Sequence, residues 1–333
     1  MSASATSGDQ RVTEYLSHKE LRTLAGRSLK YLFRPRPKLR IVRDLTPGQP
    51  LVTVIIPTYN RSNVLRIAIH SVLWQTEPNF ELLVVGDGCT DDSESVVKSF
   101  GDARIQWKNL PNNAGHQSAP NNAGLAMARG RYIAFLCHDD IWHPDHLRTL
   151  LRTLRSKPAD IAMAVAEMMG PKHSNYRVIS PIHPKGGYNP VKCTPHSCLM
   201  YVREVYERVG DLQDYREVWR NPECEFQYQA YLAGFRFAST EELTVYMFHS
   251  TLWKNSYIEK PCQEQKTYLD RIRKHRWFQL KEALDIAWVH LRRLPMYAPL
   301  IPPPPAPHTP GSAHIALSEI SRFGVRNNDR HQS

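Results

Sequence analysis

Apolar and polar positions along the first half of the chain fall into alternating blocks. Leu51-Val-Thr-Val-Ile-Ile56 is a continuous β-rich run of the kind found in strands buried on both faces. Pro57-Thr-Tyr-Asn60 breaks it, and Val64, Leu65, Ala68, Ile69, Val72 and Leu73 then recur at helical spacing. Leu82-Leu-Val-Val85 repeats the strand pattern and stops at Gly86-Asp87-Gly88. Asp91, Asp92 and Ser93 suit the start of a helix running to about Phe100. Arg104 to Trp107 predicts a short third strand, Ala119 to Ala128 a helix closed by Gly130, and Tyr132 to Leu136 a fourth strand. Strand–helix alternation of this kind predicts an α/β fold with a mainly parallel sheet flanked by helices.

The second half is less regular. Leu147–Leu154 reads as a helix, Ile161–Val165 as a strand, and 170–198, rich in Pro, Gly and His, as a long loop over a site. Cys198–Val202 predicts a strand, Glu204–Val209 and Phe226–Leu232 helices, and Thr244–Phe248 a last strand. A helical segment follows from Lys266 to about Leu294. Pro302-Pro-Pro-Pro305 cannot continue it and reads as a polyproline tail. Glu14 to Phe33 has the pattern of a basic amphipathic helix, suited to an anionic membrane or to packing on its own domain. The domain boundaries that follow are a basic arm at 1–49, a main domain at 50–260, a helical extension at 261–296 and a Pro-rich tail at 297–333.

The chain of 333 residues carries a formal charge of +11. Residues 1–50 hold ten Lys/Arg against four Asp/Glu, and 270–333 hold ten against five. The segment 51–269 has 23 of each. A neutral body with basic flanks argues against a nucleic-acid binder and suits contact of the flanks with an anionic surface or polymer. Six scattered cysteines, with no Cys-x-x-Cys pair, argue against a zinc ribbon or disulfide framework and suggest a reducing compartment. With no apolar N-terminal run, the expected location is cytoplasmic, with peripheral contact at the inner membrane face through the flanks.

Ligands of an open α/β sheet bind at the carboxyl ends of its strands. Three predicted ends here carry polar signatures: Pro57–Asn60, Gly86–Gly88 and Cys137-His-Asp-Asp140. Adjacent acids at a strand mouth suit a hard divalent cation whose other ligands are phosphate oxygens. A helix cap is the plainer use of Asp139 or Asp140.

Taken in order, Pro57-x-Tyr59-Asn60, Asp87-Gly-x-x-Asp91-Asp92-Ser93, Asn113-x-Gly115, Asn122-Ala-Gly124, Gly130-x-Tyr132-Ile133 and an acidic pair followed by Trp142 and Pro144 resemble the family 2 glycosyltransferases. The resemblance covers about residues 50–235. It implies a GT-A fold, a mainly parallel nucleotide-binding sheet with a smaller acceptor-side region and a helical C-terminal part. It also implies an inverting transfer from a nucleotide-diphospho-sugar with Mg²⁺ or Mn²⁺. The donor would lie against Pro57, Thr58, Tyr59, Asn60, Asp87, Asn122, His138, Asp139 and Asp140. Asp87 would accept from the donor base, which favours uridine because uracil N3 carries a hydrogen where cytosine has a lone pair. Asp139 would ligate the metal, with His249 as a second candidate, and Glu223 would be the general base with Glu225 as rival.

Two departures stand out. Cys137 replaces the first Asp of the usual Asp-x-Asp-Asp, and Pro120-Asn121 replaces the usual Ala-Arg. Trp142, Trp219 and Trp253 are either sugar-stacking rings or core. The partners implied are a nucleotide-sugar and a saccharide, lipid-linked or polymer acceptor. The competing expectation, motivated by Cys137, is a degenerate domain that binds nucleotide-sugar or glycan without turnover.

Overall fold

The computed structural model describes residues 48–171, 177–180, 188–190, 193–248, 250, 253, 256–259, 261–274 and 277–291. The predicted helix at 14–33, nearly all of the basic arm, the Pro-rich tail and His249 therefore lie outside the described residues.

Among the described residues nine strands form one sheet. Its first half is built from β1 (Val52–Thr58), β2 (Phe80–Gly86), β3 (Ile105–Asn109) and β4 (Tyr132–Phe135), in the order β3-β2-β1-β4, all parallel. Helices α1 (Ser62–Leu73), α2 (Ser93–Lys98) and α3 (Ser118–Met127) make the crossovers. Every residue of β1 and β2 is buried, as the uninterrupted apolar runs require.

Because side chains alternate along a strand, β1 feeds two cores at once. Val54 and Ile56 pack with Leu65 and Ile69 of α1, while Ile55 faces the other side with Leu83, Ile133 and Phe135. On that second face α3 lies so close that a Cβ added to Gly124 would meet Ile55 Cγ2 at 2.7 Å. The Gly of Asn122-Ala-Gly124 is thus a packing residue.

The second half is mixed. It comprises β5 (Ile141–Trp142), β6 (Ile161–Met169), β7 (Arg177–Ser180), β8 (Leu199–Val202) and β9 (Phe237–Phe248). Strand β8 joins β4 antiparallel and carries the sheet on through β6 to β9 and β5, with β7 on the side of β6. Helices α4 (His146–Ser156), α5 (Arg203–Val209) and α6 (Pro222–Leu232) cover it.

Several expectations need correction here. The 170–198 segment is not loop throughout: it supplies β7 and a helical turn at His196–Cys198. The last strand begins at Phe237 rather than Thr244, and its polar start is held by pairing with β6. Glu223 and Glu225 lie inside the first turn of α6, not ahead of it, because Pro222 sits at its start and Asn221 Oδ1 accepts from Glu223 N–H at 3.0 Å. Among the described residues the C-terminal helical stretch is not continuous but two helices, α8 (Gln263–Lys274) and α9 (Phe278–Leu291), preceded by the short α7 (Ser256–Glu259). Leu269 and Phe278 from the last two pack on Tyr246 and Phe248 of β9.

The absence of disulfides read from cysteine spacing is also wrong, since Cys193 and Cys224 are joined. No local motif marks the pair, because the fold alone brings residues 31 apart together.

Candidate active site

The ends of β1 and β2 form one wall. Asp87 is buried, with its N–H donating to Thr58 O at 2.8 Å. Its carboxylate accepts from Ala114 N–H at 3.0 Å and Gly115 N–H at 3.2 Å, so the Asn113-x-Gly115 loop is moulded on Asp87. Two carboxylate oxygens have room for further donors beyond these two.

Asn60 has a positive φ of 46° and turns its amide onto the next strand end, where Oδ1 accepts from Thr90 N–H at 2.8 Å and Asp91 N–H at 3.2 Å. Pro57 is buried within β1, and Tyr59 is half-buried at the turn. Asn122 has both ends of its amide on Leu212, donating to its carbonyl at 2.8 Å and accepting from its N–H at 3.0 Å. Pro57, Asn60 and Asn122, expected as donor contacts, are thus occupied in shaping the wall. Asn121 is the opposite case: it is 1% exposed, and neither amide atom has a hydrogen-bond partner among the described residues.

At the end of β4 the acidic pair divides. Asp140, expected at the donor, points into the protein. Its Oδ2 accepts from Ser197 Oγ at 2.6 Å and its Oδ1 from Phe248 N–H at 3.2 Å. Burial pushes its carboxyl well above the usual range, and Asp139 adds to this. Asp139 instead meets Ser250 Oγ and lies 3.8 Å from Arg61 Nη1. Arg61 is 2% exposed, and its Nη1 also donates to Ser250 Oγ at 2.8 Å.

His138 is buried against Thr58, with Nδ1 3.1 Å from Oγ1, and burial lowers its pKa toward a neutral ring. Trp142 is core: it is 1% exposed, and its indole N–H donates to Ser197 O at 2.8 Å. Trp253 is half-buried against the β9–α8 cluster, and Trp219 is 44% exposed with the Arg220 guanidinium 4.2 Å over its ring.

Glu223 approaches from α6. It is 7% exposed, and Gln117 Nε2 donates to its Oε1. Burial pushes its carboxyl up to about 7, against a smaller opposing pull from a backbone hydrogen bond at His196. The His196 ring lies 3.8 Å from Glu223 but is stacked flat on Phe135, and burial lowers it to about 3. A neutral imidazole makes no ion pair, so Glu223 faces no compensating cation there. Glu225 is held within its own helix by Gln229 Nε2 at 2.6 Å.

Cys137 connects the two acid groups. Burial raises its thiol well above the usual value, and the charges of Asp140, Glu223 and Asp139 add to this. Where the family pattern has another carboxylate there is thus a neutral thiol facing three acids. Asp139 and Glu223 converge, while Glu225 and Asp140 serve the framework. Arg61, Gln117, His196, Ser197 and Ser250 were not anticipated. Only Arg61, directly after the strand-end turn, had a visible signal.

Among the described residues no group of three or more His, Cys, Asp or Glu side chains is placed to hold a metal. Asp139 is a single hard oxygen ligand. It fits a divalent ion that brings its remaining ligands as phosphate oxygens, not an ion caged by protein.

Residues 53–210 match the family described as Glycosyl transferase family 2. An uncharacterized glycosyltransferase of Rickettsia prowazekii is 37% identical over 132 residues, covering 39% of this chain and 41% of that protein. A putative teichuronic acid biosynthesis glycosyltransferase, TuaG of Bacillus subtilis, is 37% identical over 115 residues, 34% of this chain and 45% of its own. The chain thus spans less than half the length of these curated relatives. Residues 1–349 of S. aureus TarS, crystallised with UDP-GlcNAc, superpose with a TM-score of 0.51 at 18% identity, over 71% of this chain and 72% of that one. The fold is the expected GT-A arrangement, and residues 53–210 carry the match to glycosyl transferase family 2.

Proposed function

We propose that this chain transfers a sugar, with inversion, from a uridine-diphospho-sugar to a hydroxyl of a saccharide, lipid-linked or polymer acceptor. The observation that carries the reading is Glu223, buried and bonded to Gln117, whose Oε1 lies 4.0 Å from Cys137 Sγ two residues before Asp139, itself paired with Arg61.

Glu223 takes the proton from the acceptor hydroxyl, whose oxygen attacks the anomeric carbon as the bond to the diphosphate breaks on the opposite face. A carboxyl near 7 is matched to accepting that proton at neutral pH. Gln117 holds Glu223 in place by its amide, and the neutral His196 and Phe135 keep water from solvating it. The spare lone pairs of Asp87 receive uracil N3–H, and Thr58 and Tyr59 flank the base. His138 and Asn121 face the donor as uncharged polar groups. Asp139 would hold a Mg²⁺ or Mn²⁺, which would supply charge neutralisation for the leaving diphosphate. Arg61 adds a fixed positive charge on the same side.

The test is a thermal-shift series of nucleotides and nucleotide-sugars with and without Mn²⁺, since a ligand of the native state raises Tm by mass action. The expected result is stabilisation by uridine diphosphate that requires Mn²⁺ and disappears in Asp139→Asn. No response to any nucleotide from the folded protein sinks the proposal. Binding without turnover in any acceptor screen leaves a binding domain.

A further inference from the structure

Cys224 directly follows Glu223 in the first turn of α6, and its disulfide partner Cys193 opens a short segment that runs through Thr194, His196 and Ser197 into β8. That segment touches both halves of the site. His196 lies over Glu223 at 3.8 Å. Ser197 donates to Asp140 at 2.6 Å and accepts from Cys137 N–H at 3.0 Å. The same segment is held to α6 a second time, since Gln227 accepts from Thr194 N–H at 3.1 Å and donates to its carbonyl at 2.7 Å. Two fastenings thus act on one helix. The Gln227 pair grips its second turn, and the disulfide grips its first turn, beside Glu223.

We propose that the Cys193–Cys224 disulfide is the positioning element of Glu223, so that thiol–disulfide exchange at this bond sets the rate of transfer. The inference rests on Glu223 being the general base. The Gln227 clamp keeps the segment and the body of α6 together when the disulfide opens, while the first turn of α6 loses its tie and Glu223 its fixed place against Gln117 and His196.

Both cysteines are half-buried, so a small thiol reaches them, whereas Cys198 in the same segment is buried. The exchange is balanced with a dithiol as reductant. Its thiolate attacks one sulfur of the pair and releases the other cysteine as thiolate. Its second thiol then resolves the mixed disulfide. The protein gains two electrons and two protons as two thiols, and the reagent leaves as its own disulfide.

The experiment compares the oxidised protein, the same protein reduced with dithiothreitol, and Cys193→Ser/Cys224→Ser, each assayed well below its melting temperature. Turnover, donor KM, the acid limb of the pH–rate profile and the Tm shift with uridine diphosphate are recorded. The expected result is a fall in kcat of roughly tenfold or more in the reduced and Ser forms. Donor KM and the uridine diphosphate shift stay unchanged, and the acid limb moves down toward ordinary carboxylate values. Reoxidation with oxidised glutathione restores the wild type and leaves the Ser form unaltered.

Equal kcat and equal pH limbs in all three forms overturn the proposal. So does loss of the folded signal on reduction at assay temperature, which makes the bond merely structural. A failure of the transferase reading itself is separate: the oxidised protein then shows no turnover and no uridine diphosphate shift.

Discussion

At the residue scale, Glu223 sets activity against stability. Its carboxyl is raised from 4.5 to about 7 by burial. The unfolded chain ionises near the ordinary value, so between these two pH values the folded state binds more protons and stability falls as pH rises. Above 7 the full penalty applies, on the order of 3 kcal/mol, and below 4.5 it vanishes. Glu223→Gln is therefore expected to lower kcat by about 10²- to 10⁴-fold while raising Tm at pH 8, the Tm gap closing toward pH 4. Melting curves across pH check the second half. In the wild type the acid limb of kcat should lie near 7.

How much of the site was legible also divides by residue. Asp87 and Asp139 could be placed at strand ends because apolar runs show where strands stop, while their roles and that of Glu223 were implied by the family resemblance. Asp140 could be read only as either holding the structure or contacting the sugar, because its neighbours, Ser197 and Phe248, lie 57 and 108 residues away. Trp142 was ambiguous for the same reason: only the fold shows its indole N–H bonded to Ser197.

At the scale of elements, β1 to β4 and their helices were legible because continuous apolar runs and helical stripes alternate there. The two-residue β5 and the polar start of β9 carry no such pattern and exist through pairing: Ile141 opposes Tyr246 and Trp142 opposes Val245. The disulfide belongs to this scale too. It closes a separation of 31 residues, which in the chain-entropy account stabilises by about 3–4 kcal/mol. Reduction is thus expected to lower the denaturation midpoint by a corresponding amount without changing far-UV circular dichroism at 25 °C. Asn122 gives a second expectation. Asn122→Ala leaves Leu212 N–H and C=O unmet and should cost about 1–3 kcal/mol in chemical denaturation, with donor affinity little changed.

At the scale of the whole molecule, the C-terminal helices are fastened by charge as well as by apolar contact. Glu282 of α9 and Glu167 of β6 are fully buried and share Arg177 of β7, and Arg271 of α8 adds a bond to Glu282 at 2.7 Å. Removing Arg177 leaves Glu167 fully buried with no cation against it among the described residues, and Glu282 with Arg271 alone. Arg177→Ala should therefore cost about 3–5 kcal/mol by equilibrium unfolding, far above the effect at an exposed pair such as Lys98–Glu94. Among the described residues no helix is long and apolar enough to cross a membrane.

The bond from Arg61 to Ser250 spans 189 positions of the chain. During synthesis at about 5–20 residues per second, Arg61 emerges roughly ten to forty seconds before Ser250 does. Through that interval a guanidinium destined for the interior has Asp139 at most, and β5 and Asp140 await β9. The nascent parallel sheet thus lacks, at the ends of its strands, the contacts that β9 and Ser250 supply, and the region 53–210 is expected not to fold by itself. A fragment 48–210 is expected to show no cooperative thermal transition, whereas one reaching residue 291 should melt as the whole chain does.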